Sequence, residues 1–258
     1  MSSYGRMETE FRAKREAGRK LLVPYITGGL AGWQNAVRAA AAAGADAIEI
    51  GIPFSDPVMD GPVIQQASQM ALDQGATPAS VLHEARSLDV GIPLAVMLYY
   101  NTVHHAGHER FAAQLVGAGI AACIVPGLPL EEAGEWCEAA DAAGVETVML
   151  AAPTAPDERL PRVCARARGF VYSVGLLGVT GERDALASTA LGLARRLKAV
   201  TDVPVLVGVG VSNADQAREA CTVADGVVMG ASVVRRLLEG GADAVGEFVG
   251  DVRHGLDS

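Results

Sequence analysis

Aromatic side chains are scarce in this chain, at 5% of 258 residues. A core without them rests on aliphatic packing, and 50% hydrophobic content with 30 glycines suits short buried strands joined by tight turns. Cations are also in deficit: 21 Lys and Arg face 30 Asp and Glu, a net charge of −9. That balance argues against nucleic acid and anionic membranes as partners. No apolar run approaches the roughly 20 residues of a membrane helix. The N-terminal MSSYGRMETEFRAKREAGRK carries both signs of charge and no signal-peptide core. Cys123, Cys137, Cys164 and Cys221 form no C-x-x-C pair, which predicts buried thiols in a reduced cytoplasm. The absence of G-x-x-x-x-G-K-[ST] excludes a P-loop nucleotide site.

What is present is an alternation. Eight apolar segments predict strands: Leu21–Thr27, Ala47–Ile50, Pro93–Tyr100, Ala121–Val125, Glu146–Leu150, Gly169–Val174, Pro204–Val209 and Gly226–Gly230. Helical patterns fall between them, and two further helices, about Ala231–Leu238 and Ala242–Val252, close the chain. A short charged helix is expected over Met7–Lys20. Gly44, Gly119 and Gly144 recur as helix C-caps just before a strand. Eight βα units in about 250 residues is the arithmetic of a (β/α)8 TIM barrel with extra short helices. A doubly wound sheet is the alternative, but it needs fewer strands and an order reversal. With no composition shift or long linker, residues 1–258 read as one barrel domain.

The most informative stretch is AIEIGIPFSDPVMDGP, Ala47–Pro62. Glu49 interrupts an apolar strand, where an acid is costly unless it is paired or used. Alternation puts it on the face of the small Ala47, pointing to the barrel axis at the strand's C-terminal end, where such barrels keep their active sites. One alternative is a buried acid satisfied by backbone donors. Asp60, where the loop hands over to a helix, reads either as a site acid or as a helix cap. Tyr172 shares a strand face with Phe170, as a site residue or as a core aromatic with a bonded hydroxyl.

Glycine-bearing ends follow the last three strands: GVTG (Gly178–Gly181), GVGVS (Gly208–Ser212) and MGAS (Met229–Ser232). Loops after strands 7 and 8, with a helix N-terminus, build backbone phosphate sites in these barrels. His104, His105 and His108 follow strand 3, but no acid or Cys spacing completes a metal set, so a solvated loop is expected.

EIGIPFSDPVMDGPVIQ (Glu49–Gln65) and YSVGLLGVTG (Tyr172–Gly181), with VPYITGG (Val23–Gly29), carry a resemblance over essentially the whole chain to the tryptophan synthase α subunit family. The resemblance implies cleavage of indole-3-glycerol phosphate to indole and glyceraldehyde 3-phosphate. It also implies delivery of indole to a β subunit in an α2β2 assembly, with pyridoxal phosphate on that partner and no cofactor or metal in this chain. Glu49 matches the family's acid/base residue, Asp60 the acceptor of the indole N–H, and Tyr172 the active-site tyrosine. Tyr25, Met97, Ile124, Leu150 and Val209 match apolar walls of the indole site. Gly181, Gly210, Gly230 and Ala231 match phosphate-binding backbone positions, and Thr180 a loop threonine that closes over substrate. Loop residues Pro53, Phe54, Asp56 and Pro57 are expected to dock the partner. Three departures stand out: Leu30-Ala31 after strand 1, Gly127 in place of an aspartate after strand 4, and apolar Leu176-Leu177 after strand 6. A stand-alone lyase and a weakly catalytic regulatory paralogue are the other functions compatible with these residues.

Overall fold

The computed structural model describes residues 4–175, 188–208 and 210–258. Eight parallel strands close into a barrel in sequence order: β1 (Leu21–Thr27), β2 (Ile48–Gly51), β3 (Leu94–Met97), β4 (Ala122–Ile124), β5 (Glu146–Ala151), β6 (Val171–Ser173), β7 (Val205–Val207) and β8 (Gly226–Met229). β1 pairs with both β2 and β8, so the sheet has no edge and no order reversal, which removes the doubly wound alternative. The core has two parts, as sheet parity demands. Leu21, Val23, Ala47, Ala95, Ala122, Ile124, Val148, Phe170, Tyr172, Leu206 and Val228 fill the barrel axis. The alternate residues pack outward under the helices. Small alanines just before β2 (Ala47) and on β3 and β4 (Ala95, Ala122) leave room for the larger Phe170 and Tyr172 across the axis.

The helices are α1 (Arg6–Glu16), α2 (Trp33–Ala42), α3 (Pro62–Asp73), α4 (Pro78–Ala85), α5 (Tyr100–Ala106), α6 (His108–Gly117), α7 (Gly134–Ala143), α8 (Leu160–Arg166), α9 (Ser188–Lys198), α10 (Ala214–Cys221) and α11 (Ala231–Asp257). Gly44, Gly119 and Gly144 have φ of 100°, 75° and 79°, the left-handed geometry their capping role requires. α1 is shorter than its charge pattern predicts because Gly18 turns the chain at φ 81°. β3 stops at Met97, and Tyr100 opens a helix that the apolar pattern concealed. The two expected closing helices run together, broken at Gly241 (φ 70°), and the second extends to Asp257.

The N-terminal end of the barrel is plugged and satisfied. Met7 and Phe11 of α1 enter the axial core. Glu146, at the foot of β5, accepts the first-turn amides of Met7 (2.7 Å) and Glu8 (2.9 Å). Asp46 accepts from Leu22 N and Arg19, and Asp225 from Lys198 and Val205 N. Every one of these buried acids has a donor, as burial of charge requires. The four cysteines are free and buried.

Candidate active site at the barrel mouth

The opposite end is organised around an acid with no donor. Glu49 lies on β2 opposite Tyr25 of β1 and Ala95 of β3. It is 0% exposed, and neither carboxylate oxygen has a hydrogen-bond partner among the described residues. The alternative of a buried acid satisfied by backbone donors therefore fails for Glu49, while it holds for Asp46, Glu146 and Asp225. Burial, reinforced by the charge of Asp60, pushes the Glu49 carboxyl up to about 8. At neutral pH it is a carboxylic acid that can give a proton and then take one.

Asp60 comes from the loop between β2 and α3. A turn from Asp60 N to Pro57 O (3.1 Å) and the side-chain amide of Gln65 on Asp60 O (2.8 Å) hold its backbone. Its residue is 7% exposed, and burial raises its carboxyl to about 6 against the lowering effect of the Tyr99 hydroxyl. Asp60 does not cap α3, whose N-cap is Gly61. The Tyr99 hydroxyl lies 3.4 Å from Asp60 Oδ2 and accepts the Met59 amide at 3.0 Å. Tyr99 is not singled out by the sequence, where it reads as the tail of strand 3. A hydroxyl-bearing residue at a barrel strand's C-terminal end is the signal it offered.

Tyr172 and Tyr25 face the same acids. Burial, then the charges of Glu49 and Asp60, hold the Tyr172 phenol well above the ordinary tyrosine range; burial and Asp60 do the same for Tyr25. Both hydroxyls stay protonated at neutral pH. Each ring occupies space that a glycine leaves open. A Cβ on Gly51 would overlap the Tyr25 hydroxyl, and one on Gly208 would overlap the Tyr172 ring edge. Gly208, read from sequence as part of an anion loop, thus also makes room for a site aromatic. Gly208→Ala is expected to lower stability by about 1–3 kcal/mol through overpacking. Tyr172→Leu in the same chain should recover most of that loss. Urea unfolding of both variants checks this; equal stability of Gly208→Ala and the parent would show that the space is not limiting.

The remaining expected positions divide. Ile124 lies in the axial core, and Met97 of β3 and Leu150 of β5 pack against that same core. Gly210 (φ 73°) follows β7, and Gly230 and Ala231 stand where β8 meets α11. Ser232 donates its hydroxyl to Val211 O at 3.2 Å, which ties the loop after β7 to the N-terminus of α11. Val233 N and Val234 N both donate to Gly230 O at 3.0 Å, which leaves the Ala231 and Ser232 amides as the ones without an intrahelical acceptor, and the helix dipole favours an anion at that point. Thr180, Gly181 and Val209 lie outside the described residues.

In the loop expected to dock a partner, Pro53 is buried and Phe54 stacks on Tyr99 at 4.7 Å and 28°. Asp56 is exposed, as are the apolar Val58 (76%) and Met59 (42%). The histidines are not in a loop. His104 and His105 ride on α5, and His108 opens α6 with its Nε2 2.9 Å from the Tyr100 hydroxyl and its ring beside Trp136. Among the described residues no three His, Cys, Asp or Glu side chains gather as a metal site would require.

An unpaired acid aimed up the axis of a (β/α)8 barrel, beside rim amides suited to an anion, is the equipment of a TIM-barrel enzyme working by general acid–base chemistry. Comparison with known proteins narrows this class. Residues 11–248 match the family model described as "Tryptophan synthase alpha chain". The chain is 45% identical over 239 residues to the tryptophan synthase alpha chain of Streptomyces coelicolor, covering 91% of this chain and 88% of that one. It is 46% identical over 234 residues to that of Thermobifida fusca, covering 88% and 86%. The structure of Mycobacterium tuberculosis tryptophan synthase superposes with a TM-score of 0.92 at 35% identity, covering 98% of this chain and 99% of that one. The chain belongs to the tryptophan synthase alpha chain family, carbon–carbon lyases that split indole-3-glycerol phosphate into indole and glyceraldehyde 3-phosphate and work with a β subunit.

Proposed function

We propose that Glu49, Asp60 and Tyr172 carry this retro-aldol cleavage. The observation behind the proposal is the Glu49 carboxyl, fully buried and without a hydrogen-bond partner at the barrel mouth. As a neutral acid Glu49 protonates indole C3, which places positive charge on the ring nitrogen. The Asp60 carboxylate accepts the ring N–H and stabilises that charge. Glu49, now ionised, takes the proton of the C3′ hydroxyl. The oxygen's electrons form the aldehyde, the C3–C3′ pair returns to the ring, and Glu49 ends as it began. The protonated hydroxyls of Tyr172 and Tyr25 serve only as donors. Met97, Ile124, Leu150, Val209 and the Tyr25 ring wall the indole. Gly181, Gly210, Gly230 and Ala231 present amides to the phosphate, and Thr180 closes over the substrate.

The partner in this reading is a β subunit carrying pyridoxal phosphate, joined in an α2β2 assembly of the cytoplasm; this chain, one barrel domain, carries no cofactor. Asp56 and Pro57 dock it together with Val58 and Met59, whose exposure beside a catalytic residue favours a covered surface. Pro53 and Phe54 hold the loop from within. The test is indole release by the purified chain, alone and with a β subunit. A large increase on mixing is expected. High activity alone, unchanged by β, would replace this reading with a stand-alone lyase, and no cleavage in either case would leave a regulatory barrel.

A further inference from the structure

Among the described residues the Asp60 carboxylate is met by one hydrogen-bonding side chain from another element, the Tyr99 hydroxyl, and that side chain is itself held at two points. We propose that Tyr99 is the positioning residue of Asp60, and that the stack of Phe54 on Tyr99 transmits the packing of the docking loop to this carboxylate. The proposal rests on the reading of Asp60 as the acceptor of the substrate N–H.

The geometry runs as a chain of contacts. Tyr99 is the N-cap of α5, two residues after the end of β3. Its oxygen accepts the Met59 amide at 3.0 Å, so its proton is directed to the other neighbour, Asp60 Oδ2 at 3.4 Å. Phe54 stacks on the same ring at 4.7 Å between centroids. Phe54, Met59 and Asp60 belong to one loop, and all three contact Tyr99. At 3.4 Å the bond to Asp60 is at the long end of the hydrogen-bond range. A loop pulled outward at Phe54 or Met59 moves the phenol, and with it the donor that keeps Asp60 ionised.

Donation to the ionised form lowers a carboxyl's pKa, and Tyr99 does so for Asp60 against the stronger effect of burial. The phenol is itself pushed up to about 12, first by burial, and remains a donor throughout the working range. The other titratable groups facing Asp60 are Glu49 from β2, Tyr25 from β1 and Tyr172 from β6. Near the Asp60 midpoint of about 6 each of them is neutral, so none competes with Tyr99 in setting the acid limb.

The experiment follows Asp60 directly. Carbon-13 NMR of aspartate-labelled full chain, with Asp60→Asn to assign the resonance, gives the Asp60 titration midpoint without reference to activity. Tyr99→Phe keeps the stacked ring and removes only the hydroxyl. Its Asp60 midpoint is expected to rise by about 0.5–1 pH unit, with the acid limb of kcat/KM moving by the same amount. Phe54→Leu keeps the hydroxyl and should move both in the same direction by less. An Asp60 midpoint unchanged in Tyr99→Phe would overturn the positioning role, and one unchanged in Phe54→Leu would overturn transmission through the stack. If the midpoint moves while the acid limb stays, Tyr99 holds Asp60 as proposed and the assignment of Asp60 to the substrate N–H is the part that fails.

Discussion

Glu49→Gln is expected to abolish cleavage while leaving the barrel folded. A positioned acid or base contributes about 10²–10⁴-fold, and Glu49 is used once in each role, so the loss should reach or exceed the top of that range. Substrate binding should persist, because in the proposed reading the phosphate is held by loop amides and not by Glu49. Turnover within about tenfold of the parent would remove Glu49 from the mechanism. The substitution also carries a stability signature of definite sign. In the unfolded chain the carboxyl titrates near 4.5 and in the folded protein near 8. Between those values the folded state keeps a proton that the unfolded state releases. This contribution to stability is complete below pH 4.5 and lost as pH rises through 8. A tenfold difference in proton affinity between the two states is worth about 1.4 kcal/mol. Glu49→Gln removes the titrating group, so its urea stability should fall less than the parent's between about pH 5 and pH 8.5. Identical slopes would show that Glu49 does not titrate with the raised value.

Asp60→Asn should cost about 10²–10³-fold in kcat, since an amide oxygen accepts the indole N–H without balancing the charge that develops on it. The surviving activity should have an altered pH profile. Asp60 must be ionised and Glu49 protonated at the start of the cycle, which predicts a bell with limbs near 6 and 8. Removing the Asp60 charge deletes the acid limb. It also removes one of the two causes that raise Glu49, so the alkaline limb should move to lower pH. An alkaline limb that stays in place in Asp60→Asn would mean that the two carboxylates do not sense each other.

The barrel and its acids were legible because their signals are local. Strand parity alone aimed Glu49 inward beside Ala47, and three glycine caps counted out the βα repeat. Residues whose meaning lies in a partner on another element were not legible. Tyr99 acquires its role from Asp60 and Met59, about forty residues earlier in the chain. Phe54, which reads as an exposed docking contact, is held by the same ring. The Tyr100–Ala106 helix was hidden by an apolar run that continues the strand pattern across Leu98 and Tyr99. His108 looked solvated because its neighbours Tyr100 and Trp136 come from outside its own helix.

The paired fit of Gly51 with Tyr25, and of Gly208 with Tyr172, also constrains the order in which this site can change over generations. A methyl group added first at either glycine collides with a phenol whose removal would have made it harmless. The less costly order is for the tyrosine to shrink before the glycine grows, and an alanine already in place penalises the tyrosine's return by about 1–3 kcal/mol. Descent at these two pairs therefore runs like a ratchet, and the present glycines keep the way back to a tyrosine open.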